Sequence, residues 1–389
     1  MQTKSAEIVG SNEDLLTEIL LRLPVKSLID FKLVSKQWHS IITNPNFCHL
    51  RSCRKTKPPA IGLFIHSGDF SYNESFDYVP FSVPRLRISP IQKHRLTIED
   101  FSLDIRVVQS CNGLLLCRNI KGPGEWKYYV CNPTTKHSFR IPQLDENIKR
   151  GMCLAFDPAK SPHYHVVCVH ECPKNSDLSF RIQIYSSKTG SWKICGNPFS
   201  SPQIYGRAVY WNGSVHWISI LSAVFMYFNI DRQVLDKMPL PRISLRPRTK
   251  RFIYYFGESC DHLHFIIACQ YEIRFDVYEM KRDYSEWFVK YKVDLSRVVA
   301  AYPEMIRDYN NRKYYHFHVL SLVRGEEEEE EPFLVLHIPR KVVRYNLVSM
   351  TFRVLHDFVS DESNYIMCYG GVLNSLSIGF QYIESLSCV

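Results

Sequence analysis

Cysteine, histidine and the acidic side chains are where this sequence could do chemistry, and their spacing limits which chemistry is open to them. The tightest cysteine pairs are Cys48-x4-Cys53 and Cys168-x3-Cys172. A structural zinc site draws its four ligands from two close pairs, and neither pair has a matching second half, so no metal is expected. There is no GxSxG elbow, Walker A loop, HExxH pair or dinucleotide-binding glycine pattern, so no cofactor is expected, and a catalytic site would have to assemble in space from distant residues. His216 and His264 sit in apolar, strand-like runs and read as core residues rather than ligands or bases. The residues alone therefore point away from an enzyme.

The chain has 389 residues and thirteen cysteines, an odd number without regular spacing. Its first ten residues, MQTKSAEIVG, carry Lys4 and Glu7 where a secretory signal needs an apolar core. Reduced, mostly buried thiols and a cytoplasmic and/or nuclear location follow as expectations. The net charge of +9 gathers in short clusters: Arg51, Arg54, Lys55 and Lys57, and RPRTKR at 246–251. These read as solvated linker and loop, or alternatively as phosphate contacts or a nuclear signal, but no recognised nucleic-acid-binding motif accompanies them. Residues 208–230 carry no formal charge, yet Asn212-Gly213-Ser214 is a turn signal within them, so they read as buried strands rather than a membrane span.

The elements that must position these side chains change character along the chain. In residues 11–23, Ser11 and Asp14 form a capping-box-like start, and Leu15, Leu16, Ile19, Leu20 and Leu23 share one helical face. Pro24 ends that helix and opens a second carrying Val25, Leu28, Ile29 and Phe31. Ser35 can cap a third, in which Val34, Trp38, Ile41 and Ile42 align before Asn44-Pro45 stops it. A unit of about forty residues is marginal alone, so part of this apolar surface must be shared, either with the β-rich remainder or with a partner.

The order of residues in DLLTEILLRLPVKSLIDFKLVSKQWHSIITNPNF strongly resembles the F-box of plant F-box proteins. The upstream Leu-Pro common in that family is replaced here by Val9-Gly10-Ser11-Asn12. The resemblance implies docking to a Skp-family adaptor and, through it, to a cullin and a RING-finger protein. Carried over by motif position, it nominates Leu15, Leu16, Ile19, Leu20, Leu23, Pro24, Leu28, Val34 and Trp38 as adaptor contacts or their supports, the leucines of the first helix and Pro24 foremost.

Beyond a basic linker at 53–60, short apolar and aromatic runs alternate with turns. Units such as YYVCNPTTKHSFRIP and VRYNLVSMTFRVL recur, with landmarks Asn132, Tyr185, Asn229, Tyr278 and Asn346 at separations of 53, 44, 49 and 68 residues. A period near fifty suits a kelch-like β-propeller of about six blades, with two stacked β-sandwiches as the alternative. The longest interval holds Glu326 to Glu331, which read as a solvated hairpin tip or an acidic contact for a basic substrate. VVQSCNGLLLCRN, the NPTT that follows it and WNGSVHWIS resemble the F-box-associated domain of the same plant family.

The expected chain is thus an α+β multidomain protein: a three-helix F-box at 9–52, the linker at 53–60, and an all-β propeller at 61–387. The resemblance implies a non-catalytic substrate-recognition subunit of a Skp-cullin-F-box ubiquitin ligase, with the target protein held on the β domain. The other classes open to it are a propeller enzyme with a helical cap and a nucleic-acid-associated regulator using the basic loops.

Overall fold

A computed structural model describes residues 12–54, 58–67, 75–81, 105–119, 126–144, 150–172, 179–200, 208–219, 224–242, 251–269, 271–309, 312–324, 331–358 and 379–389. Helices α1 (Glu13–Leu20), α2 (Val25–Phe31), α3 (Lys36–Thr43) and α4 (Pro45–Arg54) come first, and antiparallel sheets follow. The cap of α1 is Asn12 rather than a Ser11 box: its side chain accepts from the backbone N–H groups of Asp14 and Leu15, both at 3.1 Å. Ser35 caps α3 as its position predicts, accepting from Trp38 N at 3.2 Å. Asn44-Pro45 does end α3, but the chain restarts at once, because Asn44 Oδ1 caps Asn46 N at 2.8 Å and proline is well tolerated in a first turn. The fourth helix was not expected, and it runs through Arg54. Arg51, one of the candidate phosphate contacts, instead donates to Leu21 O at 3.1 Å, just past the end of α1.

Five four-stranded sheets follow in chain order: blade I from Ile105–Cys111 to His137–Arg140, blade II from Arg150–Ala155 to Ser191–Ser200, blade III from Ala208–Trp211 to Val234–Lys237, blade IV from Arg251–Ser259 to Trp287–Asp294, and blade V from His318–Val323 to Phe352–Asp357. Blade VI joins both ends of the β region, since Gly379–Tyr382 pairs with Gly62–Ser67, which pairs with Ser75–Pro80. The first strands of blades I to V and Gly379–Tyr382 touch their neighbours in turn around a closed ring. That closure makes a six-bladed propeller and excludes stacked sandwiches.

The period near fifty has a physical counterpart. All five landmark residues stand on the third strand of their blade. Side chains spaced by about one blade bond neighbouring blades together: Trp192 Nε1 donates to Pro142 O at 2.8 Å, Trp287 Nε1 to Pro239 O at 3.0 Å and Tyr345 Oη to Asp294 O at 2.9 Å, across separations of 50, 48 and 51 residues. The long interval before Asn346 has a second cause besides the glutamates. Helix α5 (Ser296–Ala301), a turn at Pro303–Met305 and a hairpin at Ile306–Tyr309 and Arg312–Tyr315 lie between blades IV and V, with Val298 and Met305 fully buried there. Of the glutamate run only Glu331 is among the described residues, and it is exposed. Within residues 208–230 the described residues form the strands Ala208–Trp211, Ser214–Ser219 and Val224–Asn229, and no helix among the described residues is long and apolar enough to cross a membrane.

Strand direction alternates within a blade, so the turns joining strands one to two and three to four share one face of the propeller. The helices sit on that face. His49 Nδ1 lies 3.0 Å from Pro158 O and Cys53 Sγ donates to Ala159 O at 3.2 Å, both in the first turn of blade II. Between helices and blades runs the segment 383–389. Leu386 is buried in the helical core, and its carbonyl accepts from Cys48 Sγ at 3.2 Å. Asn132, fully buried in blade I, donates to Ser385 O at 3.0 Å and Ser387 O at 2.8 Å while its Oδ1 accepts from Thr134 N and Thr135 N. Gly113 has φ +91°, and a Cβ there would stand 2.5 Å from Ser385 Cβ. The SCNG and NPTT motifs are therefore the seat of this segment. Asn132→Ala should lower stability by about 2–4 kcal/mol, since it strips buried carbonyls and turn N–H groups of their partner. Denaturant unfolding with hydrogen exchange around Leu386 checks this, and wild-type protection at that segment would contradict it.

Candidate functional site

The nominated residues of the helical unit fall into two groups by burial. Leu16, Leu20 and Leu28 are buried with Ile41, Ile42, Phe47, Cys48 and Leu386 in one core. Leu23 and Trp38 are half-buried against it, and Trp38 meets Phe31 edge-to-face at 5.2 Å between ring centroids. Leu15, Ile19, Pro24 and Val34 are exposed. Leu15 and Ile19, one helical turn apart on α1, each keep 45% of their surface, and Val34 keeps 58%. The sequence listing of apolar positions missed Leu33, which is 89% exposed in the turn between α2 and α3. Its one signal was its place after Phe31-Lys32, past the end of the helix that buries Leu28.

The α4 helix and Leu386 answer part of the question of what shares the helical apolar surface: the propeller side is covered by the chain itself. What remains open is Leu15, Ile19, Leu33 and Val34, together with Leu50 on α4, aliphatic side chains that the filled core does not take in. Such a surface binds by burial of apolar area, and no group in it can accept or donate a proton, so its chemistry is that of docking.

A second feature lies on the propeller axis, a cavity of about 420 Å³ lined by the first strands of all six blades. Gln109 bridges blades I and II there, donating to Leu154 O at 3.1 Å and accepting from Leu154 N at 2.7 Å. Gln381 does the same for blades V and VI, donating to Ser321 Oγ at 2.9 Å and to Leu322 O at 3.2 Å. These amides stitch the ring where it is narrowest. Among the described residues no cluster of histidine, cysteine and acidic side chains stands as a metal site.

The chain is similar to known proteins over nearly all its length. Residues 12–50 match the F-box domain family and residues 73–284 the F-box associated beta propeller domain family. It is 37% identical to F-box protein At5g07610 of Arabidopsis thaliana, over 92% of this chain and 88% of the relative. It is 24% identical to F-box protein At1g30790 of the same plant, over 94% of each. Among solved structures, a chain of a nidogen/laminin complex is similar at 10% identity and a TM-score of 0.42, over 76% of this chain and 92% of that one. The propeller assignment here stands on strand pairing, not on that likeness.

The buried polar groups of the blades are a separate matter, and sequence reading took only two of them up. His216 is a hydrogen-bonded core residue: Nδ1 faces Val209 O at 3.1 Å and so carries the proton, leaving Nε2 to accept from Tyr284 Oη at 3.0 Å. His264 stands in a cluster that spacing did not reveal, around the buried carboxylate of Glu279. His262 Nδ1 lies 2.9 Å, His264 Nε2 3.3 Å and Arg324 Nη1 3.1 Å from its oxygens. Burial would raise the Glu279 carboxyl, but the hydrogen bond from His262 and the close approach of His264 outweigh it and hold the group well below the usual range. His318 and His337 are direct cross-strand partners in blade V.

Burial lowers His216 and His337 to about 3 and His318 to about 4. In the unfolded chain each takes a proton near pH 6.5. Below that pH the unfolded state binds more protons than the folded one, so stability is level above 6.5 and falls as pH drops toward 4. The loss is about 1.4 kcal/mol per pH unit for each histidine. Denaturant unfolding at pH 7, 6 and 5 should show this slope, and His337→Gln should make it shallower by one proton; a profile flat down to pH 5 would contradict the assignment.

Proposed function

Because this chain belongs to the plant F-box proteins that carry an F-box-associated β-propeller, we propose that it is the substrate-recognition subunit of a Skp-cullin-F-box ubiquitin ligase. In this role the helices dock a Skp-family adaptor and through it the cullin and RING-finger protein. The propeller holds a target protein for ubiquitination and proteasomal degradation, in the cytoplasm and/or nucleus. The chain itself acts without catalysis, by holding target lysines at high effective concentration near the ubiquitin carrier.

The observation that carries this reading is the set of exposed aliphatic side chains on the helical unit, Leu15, Ile19, Leu33, Val34 and Leu50, around a core already filled. Leu15 and Ile19 are already about half covered, so hiding what remains of these side chains contributes roughly half of the ~1.5–3 kcal/mol of full burial for each, part of what a complex needs to offset the cost of association. Their exposure leaves them free while the unit stays fixed to the propeller through His49, Cys53 and Cys48.

The test is co-purification with a plant Skp-family adaptor. Leu15→Asp with Ile19→Asp should weaken capture by about 100-fold or more, since two apolar contacts become desolvated charges. Both positions are exposed, so the thermal melt should stay at the wild-type value; Leu20 is fully buried, and a charge there would unfold the unit instead of probing its surface. Full-strength adaptor binding by the double variant would remove the proposed interface.

A further inference from the structure

Two cysteines far apart in the sequence meet at the seat of the helices. Cys48, on α4, is buried, and Cys388, in the segment on which the helices rest, is exposed. Their side chains hydrogen-bond to one another. Cys48 Sγ also stands 3.2 Å from Leu386 O, and Cys388 Sγ 3.8 Å from Thr43 O at the end of α3. The pair thus sits where α3, α4 and segment 383–389 converge. Ser387, whose carbonyl accepts from Asn132, immediately precedes Cys388. Cys53 is exposed on the same helix as Cys48, but its Sγ faces His49 and Ala159 O rather than a second thiol.

Lys32, just past α2, and Arg51, on α4, bring positive charge to Cys48, and Lys32 brings it to Cys388 as well; Glu384, half-buried in the segment, faces Arg51 and Lys26. The hydrogen bond from Cys48 and the charge of Lys32 outweigh burial and lower the Cys388 thiol to about 6. The same hydrogen bond, and burial with it, pushes Cys48 up. At neutral pH one member is therefore a thiolate open to solvent and the other a protonated thiol behind it. An accessible thiolate is the form that reacts with a peroxide, and a second thiol in contact with it resolves the product.

We propose that Cys388 is a site of oxidation by hydrogen peroxide, with Cys48 as its resolving partner, and that the product is a disulfide between α4 and segment 383–389. The Cys388 thiolate attacks one peroxide oxygen and the O–O bond breaks; the departing hydroxide takes a proton to become water. Cys388 is then a sulfenic acid, its sulfur the atom oxidised and the peroxide the group reduced. The Cys48 sulfur attacks the sulfenic sulfur, the S–S bond forms, the S–O bond breaks, and the leaving hydroxyl takes the Cys48 proton as a second water. In the reduced chain the seat of the helices is held by Leu386 and by hydrogen bonds. Oxidation adds a covalent latch there, and its chemistry is independent of the ligase reading.

For the test, the full chain is reduced, freed of reductant, treated with hydrogen peroxide, blocked with N-ethylmaleimide and mapped by peptide mass spectrometry. A Cys48–Cys388 peptide pair that dithiothreitol separates is expected, with Cys53 outside any intrachain disulfide. In Cys48→Ala the reaction should stop at the sulfenic acid, which dimedone captures on Cys388. In the same variant the pH midpoint of Cys388 alkylation by iodoacetamide should rise from about 6 in the wild type toward about 8.5. Cys388→Ser, at an exposed position, should keep the wild-type melt and leave Cys48 a free thiol after peroxide. Hydrogen exchange in α4 and in 383–389 should slow by about tenfold on oxidation of the wild type and stay unchanged in Cys388→Ser. Free thiols at both positions after peroxide, a disulfide from either one to another cysteine, or a wild-type midpoint near 8.5 overturns the assignment. Exchange that keeps its reduced-state rate once the disulfide has formed overturns the latch.

Discussion

The contacts of one buried amide organise the chain. Asn132 closes its own turn with Oδ1 and holds the backbone of Ser385 and Ser387 with Nδ2. The strand that ends three residues before Ser385 is the one that closes the propeller ring on Gly62–Ser67. The residue that follows Ser385 is Leu386, which completes the helical core. Ring closure and the seat of the helices thus pass through one short stretch of backbone. A side-chain amide suits this task because it presents donors and an acceptor at once, and in a fully buried site every unmet group would carry a desolvation penalty.

Local pattern revealed what local physics decides. Asn112-Gly113 and Asn212-Gly213 are two-residue turns with positive φ at both positions, which is what such dipeptides adopt between paired strands. Ser35 caps α3, and the landmarks near every fiftieth residue lie on equivalent strands. Pattern could not show which distant strand closes the ring, because Gly379–Tyr382 is four residues long and its partner stands more than three hundred positions earlier. Nor could it show α4, since Asn-Pro is equally a stop and a start. The Glu279 cluster escaped for the same reason as the ring closure: Arg324 arrives from another blade. Within the helical site, periodicity found the apolar positions but not their burial, which depends on Leu386 from the far end of the chain.

The helical motif serves two demands that compete for the same residues. Leu16, Leu20 and Leu28 hold the helices on one another, while Leu15 and Ile19 on the same helix stay in water. A unit of this size is marginal on its own, so side chains left in water contribute little to holding it folded. It stays folded here because α4 and Leu386 add buried area on the propeller side, so the outward face is free of the duty of holding the fold. The dense motif is therefore half scaffold and half surface, which is why its match to a family is so specific while its individual roles cannot be read from spacing.

Mounting the helices by hydrogen bonds on both sides of a short segment has a consequence for geometry. A flexible tether between adaptor-binding and target-binding units would let their separation vary, and the effective concentration of a target lysine near the ubiquitin carrier would fall as the tether lengthened. Here α4 is bonded directly to the first turn of blade II through His49 and Cys53, and again to segment 383–389 through Cys48. The propeller in turn is a closed ring whose blades are linked by Trp192, Trp287 and Tyr345. Orientation is thus passed from the helices to the opposite face of the ring through packed, hydrogen-bonded contacts. In the proposed ligase a target held by the propeller would then be presented at a fixed distance from the adaptor.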